Sequence, residues 1–484
     1  MNQAFKSHIT IRTRLLRSSP RSNKLLTHRE LATMATSHTI QITPENTGLW
    51  KINQDQSSAQ VATELLQQDL EKHHVYFNND GYHDHISHHL LSLYGTGARP
   101  EHLKKAYDVN ASYQRPTMKL HQDVVEELQN WETAKKRVGK EQYYPDFLAF
   151  FQGEIDKLGW EAVLSEYLFG GDEKSEDMLI RMLAGALHPI IQLMYGVEWK
   201  QPAIVAMALA QAAVHDDDLR KFLITAEDAS KSKPDSMPTI ASLLEEVKSN
   251  KKLATSAKFE DGEKLRDGVF ARAWDEIIEI ASKVRVKPEE LDEKTAEMYH
   301  TAIYEGTSAA FYPNKEPKFD FFLMHHINIC PIFVAINSQD WIPTESKVRL
   351  LEWKIRMDLV QYAARGCPPL SLDNIASYTP KDNKPGSVNE LVPRIHNLEE
   401  DGHAIKLYRA VVLGQTVSEK YDDKDWVKIK GDLWTKVRHL VVDSVEANGP
   451  RWVRSAGFPK AWEVIPDRSD NANGVSQKLE QIHL

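Results

Sequence analysis

Apolar residues along this chain recur at three- and four-residue intervals, and strict apolar–polar alternation is almost absent. A half-buried strand shows period two and a helix 3.6, so this property argues against a sheet-based fold. Val61, Leu65, Leu66 and Leu70 share one face of a helix at 59–73, with Gln and Glu opposite. The same spacing predicts helices over 100–111, 122–136, 144–158, 160–168, 178–195, 203–215, 217–227, 239–248, 261–283, 288–308, 319–336, 346–365, 392–412 and 426–447. Pro331 is expected to kink 319–336. The fold class is therefore all-α: a large single-domain helical bundle with a cavity in its core.

The N-terminus is of a different character. Lys6, Arg12, Arg14, Arg17, Arg21, Lys24 and Arg29 precede the first acidic residue, Glu30. That composition suits a mitochondrial presequence. The slightly favoured rival is an over-extended start, with Met34 opening the true chain as Met-Ala-Thr-Ser. Residues 1–36 are accordingly expected to lie outside the core, 43–467 to form the catalytic domain and 468–484 to be a disordered tail. A cytoplasmic location is expected, or a mitochondrial one if the leader is genuine.

A formal charge of −9 argues against nucleic-acid binding and leaves small-molecule chemistry open. Cys330 and Cys367 are the only cysteines, so there is no disulfide framework and no Cys-rich zinc site, which fits a reducing compartment. The longest apolar stretch, 182–197, is broken by His188, Pro189 and Gln192, so no membrane span is expected. Oligomeric state leaves no mark in the sequence.

Chemistry concentrates in Gly81-Tyr82-His83-Asp84-His85-Ile86-Ser87-His88-His89, where four histidines fall in seven positions. If a helix opens here, His85 shares a face with either His88 or His89, the geometry two imidazoles need to hold one transition metal. The bland alternative is a polar helix start. His188, His325 and His326 stand in apolar settings, and His215 ends a helix of small residues. A lone buried histidine is usually a satisfied core residue, but helices of a bundle can point several into one cavity. A site of neutral imidazoles leaves a metal's charge unbalanced. Glu198, Asp320 and Asp358 are candidate anionic partners. So is Lys354, because a desolvated lysine loses its proton and can take up carbon dioxide as an anionic carbamate. An ordinary pairing of Lys354 with Asp358 at i+4 fits the spacing equally well. No dinucleotide fingerprint, P-loop, GxSxG elbow or HExxH motif occurs.

The stretches His83–Ala98, Tyr107-Asp108-Val109-Asn110, His188-Pro189-Ile190-Ile191, Asp320-Phe321-Phe322-Leu323-Met324-His325, Leu351-Glu352-Trp353-Lys354 and Asp358–Gly366 resemble the questin oxidase-like family, over about 43–467. The resemblance implies an oxygenase of fungal polyketide pathways that opens the quinone ring of anthraquinones. A Baeyer–Villiger oxidation with NADPH and dioxygen is the traditional account, yet no flavin fold is recognisable. The first motif often reads His-Asn-His in the family, and Asp84 replaces that Asn here. Taken together, the expectation is an Fe2+-dependent dioxygenase, with O2 as co-substrate and a small aromatic polyketide as substrate. His85, His89, His188 and His325 are the expected metal ligands, with His88 as rival to His89 and a modified Lys354 as the fifth. His215 and His326 are expected to move protons. The alternatives are a metal-free, NADPH-dependent Baeyer–Villiger oxygenase and a non-catalytic polyketide-binding protein.

Overall fold

The computed structural model describes residues 34–382 and 385–468. The leader up to residue 33 and the tail from residue 469 lie outside the described residues. Among the described residues there is no strand; extended segments meet only at isolated bridges such as Asp320 with Val453. The helices that build the site are α1 (Gln56–Lys72), α2 (Ile86–Gly95), α3 (Pro100–Ala111), α4 (Tyr144–Leu158), α5 (Glu173–Arg181), α6 (Ala184–Glu198) and α7 (Pro202–Val214). They continue with α8 (Leu291–Ser308), α9 (Phe321–Asn328), α10 (Cys330–Asn337), α11 (Thr344–Ala364), α12 (Val388–His396), α13 (His403–Ser418) and α14 (Leu433–Glu446). The all-α expectation holds.

Local chemistry sets where these helices begin. Asp55 caps α1 by accepting from the Ser58 amide, and Asp320 caps α9 by accepting from the Phe322 and Leu323 amides. Pro100, Pro145, Pro202 and Pro331 sit in first turns, where no amide hydrogen is needed. Every residue of α7 after Pro202 is buried. Its alanines let α6 and α4 approach closely, while Ile204, Val205, Met207 and Leu209 each contribute about 1.5–3 kcal/mol by burial.

Several expected helices are divided. The 178–195 helix breaks after Arg181, and α5 meets α6 at 99°. The 319–336 helix separates into α9 and α10 at Ile329, where the sequence suggested a kink at Pro331. The 392–412 helix separates into α12 and α13 on either side of 397–402. The 261–283 helix is a π-helical Lys264–Phe270 followed by Trp274–Ala281. Ser37, Ile40 and Ile42 are buried, and the folded unit runs from Ala35, earlier than the expected residue 43. No single described helix is long and apolar enough to cross a membrane.

Candidate functional site

Four histidines from four separated stretches meet in the core. His85 is the N-cap of α2, in right-handed conformation with its carbonyl accepting from the His89 amide; its ring lies 5.4 Å from that of His88, whereas His89 turns to Asn110. His188 enters α6 from a turn in which Gly185 (φ 53°), Ala186 (φ 51°) and Leu187 (φ 69°) are all left-handed. That conformation costs a non-glycine residue about 1–2 kcal/mol. Position 185 tolerates no side chain, because a Cβ there would lie 2.4 Å from His215 Cε1 and 2.9 Å from His83 Nε2. The turn brings the Gly185 carbonyl to 2.7 Å from His188 Nδ1. On α9, His325 Nδ1 lies 2.6 Å from the Phe321 carbonyl one turn earlier. His403 opens α13, with Nδ1 2.7 Å from Asp401 Oδ1.

These imidazoles form a closed ring. Neighbouring centroids are 5.1 Å apart for His85–His188, 5.0 Å for His188–His325, 4.8 Å for His325–His403 and 4.6 Å for His403–His85. Carbonyl and carboxylate oxygens only accept, so Nδ1 of His188, His325 and His403 must each carry the proton. Their Nε2 atoms are then bare lone pairs. His85 Nε2 lies 3.0 Å from His188 Nε2, and His403 Nε2 lies 3.1 Å from His325 Nε2. No proton is available between His325 and His403 while both are neutral. His85 Nδ1 is buried without a hydrogen-bond partner, 3.7 Å from Asp401 Oδ2. One ligand atom each from His85, His188 and His403 lies within 4.8 Å of the others. A cation held by one ligand atom each of His85, His188 and His403, with His325 adjoining through His403, would satisfy this arrangement.

The electrostatics favour neutral rings. Burial pushes His85, His88, His188 and His325 well below the ordinary histidine value, and Lys406 and neighbouring imidazoles push the same way. Burial also lowers His403, against the opposing pull of Asp401. Burial alone would raise Asp401, but His403 and Lys406 outweigh it and hold the carboxyl well below its usual range. Burial brings Lys406 down to about 8. Its Nζ lies 3.2 Å from His88 Nδ1, and His88 Nε2 has no partner. Asp401 is the ring's edge toward solvent: its side chain is 41% exposed, against 1% for His403.

The remaining expected residues stand around this ring. His89 takes the Asn110 side-chain amide at Nδ1 (3.2 Å) and lies 3.6 Å from Glu400, outside the ring. His215 Nε2 meets His83 Nε2 at 2.8 Å and the Tyr76 hydroxyl at 3.2 Å, and His83 stacks on His188 at 3.9 Å. His326 turns away from the ring, with Nδ1 2.6 Å from Asp358 Oδ1. Lys354 is bound to the same carboxylate at 2.5 and 2.6 Å. The structure therefore places Lys354 behind His326 and not among the four histidines. Glu198 is paired with Arg409, and Asp320 is occupied in capping α9 and holding the Ser455 and Ala456 amides. A cavity of about 430 Å3 between Phe311, Tyr378, Lys381 and Arg468 shares no residue with the ring.

Sequence reasoning missed His403, Asp401 and Lys406, and passed over His83. Glu400-Asp401-Gly402-His403 was absorbed into one expected helix. The Asp-Gly pair was the available signal, since that dipeptide marks a turn. Gly402 is left-handed (φ 97°), and a Cβ on it would lie 2.7 Å from His89 Cβ.

A questin oxidase-like family profile matches residues 82–411, the span that contains all four ring histidines. The chain belongs to the questin oxidase-like family. It is 35% identical to the Baeyer-Villiger oxidase ptaJ of Pestalotiopsis fici, across 89% of this chain and 99% of that one. It is 34% identical to a questin oxidase of Aspergillus fumigatus, across 84% and 94%. It is 35% identical to the oxidoreductase AflY of Aspergillus parasiticus, across 93% and 91%. Full-length similarity to oxidases makes this chain an oxidoreductase of that family.

Proposed function

We propose that this questin oxidase-like protein is a non-haem iron dioxygenase that cleaves a ring carbon–carbon bond of an anthraquinone or its hydroquinone. The observation that carries the reading is the His325–His403 contact, two proton-free Nε2 atoms at 3.1 Å in a buried ring. His85, His188, His325 and His403 would hold the ion; His403 takes the place expected of His89. Iron would supply the binding and activation of dioxygen. Gly185, Phe321 and Asp401 orient three of the rings through Nδ1.

The anionic lysine ligand expected at Lys354 fits Lys406 instead. Lys354 is committed to Asp358, whereas Lys406 lies against His88 beside the ring. Its neutral amine, adding carbon dioxide, would give a carbamate and release one proton.

The Baeyer-Villiger oxidase names of several relatives favour a Baeyer–Villiger oxidation, and the second reading is such an oxygenase working with NADPH and without metal. Elemental analysis of protein purified without added metal separates the two. Stoichiometric iron, and anthraquinone turnover that stops with chelator or without oxygen, supports the first. Metal-free protein that turns over only with NADPH rejects it. Metal-free protein that binds the anthraquinone without turning it over identifies a binding protein.

A further inference from the structure

The solvent side of the ring is built from two segments clamped together. Around Asp320 the chain meets Val453 in an isolated bridge: the Phe321 amide donates to the Val453 carbonyl at 2.8 Å, and the Val453 amide donates to the Phe319 carbonyl at 3.1 Å. Asp320 accepts from the Ser455 and Ala456 amides at 2.6 and 2.7 Å. Val453 is buried, Trp452 is half-buried against the core, and Arg454 is exposed. Trp452 lies 6.3 Å from the His403 ring. Arg454 is exposed, and its guanidinium lies 4.1 Å from the centroid of Phe321. Phe321 in turn contacts His325 at 4.6 Å and His403 at 5.3 Å. Asp401, half-exposed, completes the rim.

We propose that Arg454, with Phe321 and Trp452, forms the face that receives the substrate, and that Arg454 selects planar aromatics carrying an ionised phenol. The inference rests on the anthraquinone reading above. Phe321 and Trp452 offer apolar ring surface next to two of the four histidines. A guanidinium placed over one of them can accompany a stacked aromatic while pairing with a phenolate oxygen at its edge. The clamp to Asp320 fixes this arginine relative to His325 on the same helix.

The test uses iron-loaded full-length protein and two probes, β-hydroxyanthraquinone and unsubstituted anthraquinone, titrated by difference absorbance against pH. On the wild type, the bound hydroxy probe ionises at lower pH than in solution, seen as growth of its red-shifted band. Arg454→Gln returns that ionisation to the solution value and weakens binding about fivefold. Arg454→Lys keeps part of both, and the unsubstituted probe binds all three proteins alike. In turnover, Arg454→Gln raises KM with little change in kcat and leaves iron content intact. Unchanged affinity and ionisation in Arg454→Gln overturn the inference alone. Failure of the wild type to bind either probe overturns the anthraquinone reading with it.

Discussion

An imidazole offers a lone pair from one nitrogen when the other carries its proton, so each oxygen that holds an Nδ1 decides what the opposite nitrogen can do. Asp401 does this for His403, and its removal tests the idea without deleting a ligand. Asp401→Ala is expected to weaken iron binding about 10–100-fold, measured by competition with a chelator. His403→Ala should lose iron outright, whereas His89→Gln, outside the ring, should keep it; the reverse pattern would return the ligand role to His89. The two lysines divide in the same way. Lys354→Met strands the Asp358 carboxylate in the core and should cost about 3–5 kcal/mol in denaturant unfolding while iron content holds. Lys406→Met should lower iron content with the smaller loss of stability. If Lys354→Met is the variant that loses iron, the assignment of Lys406 falls.

At the level of elements, the positions of the helices were legible and their breaks were not. Periodicity registers which residues face the core, and α1 appears at Gln56–Lys72, close to the 59–73 read from Val61, Leu65, Leu66 and Leu70. It is blind to a left-handed turn built from apolar residues, because Gly185-Ala186-Leu187 continues the apolar pattern of its helix. His188 was therefore singled out for its burial, but its orientation came from the turn. His403 was lost for the related reason that its turn lies within a long run of helical spacing. The turn at 185 can be tested directly. Gly185→Ala drives a Cβ into His215 and His83, and the backbone must move to relieve the clash. Because the same peptide carries the oxygen that holds His188, iron content should fall along with the melting temperature. A variant that melts lower yet keeps full iron would show that the turn is structural only.

Across the whole molecule, the ring gathers residues from positions 85, 188, 325 and 403, so it exists only when distant helices have packed. Loss of the global fold therefore abolishes the site, and the pH range of stability bounds the range of function. Two buried histidines outside the ring contribute to the acid limit. His300 Nε2 accepts from the Lys428 and Ile429 amides, and His396 Nε2 lies 2.9 Å from the Thr96 hydroxyl. Burial lowers each to about 3, with nearby lysines adding at His300 and His102 at His396. In the unfolded chain both titrate near about 6.5. Below that pH the unfolded state binds protons that the folded state refuses, so stability falls as pH drops from about 6.5 toward 3. At pH 5 the loss is about 2 kcal/mol for each histidine. Lys318 acts in the same direction at higher pH. Burial brings it to about 7, below its unfolded value near 10.5, so stability also rises with pH through that interval. Urea unfolding at pH 7 and pH 5 should show the acid loss. His300→Gln, whose side-chain oxygen can accept from the same two amides, should flatten the slope by about half of the combined histidine effect. A slope unchanged by that substitution would place the acid sensitivity elsewhere.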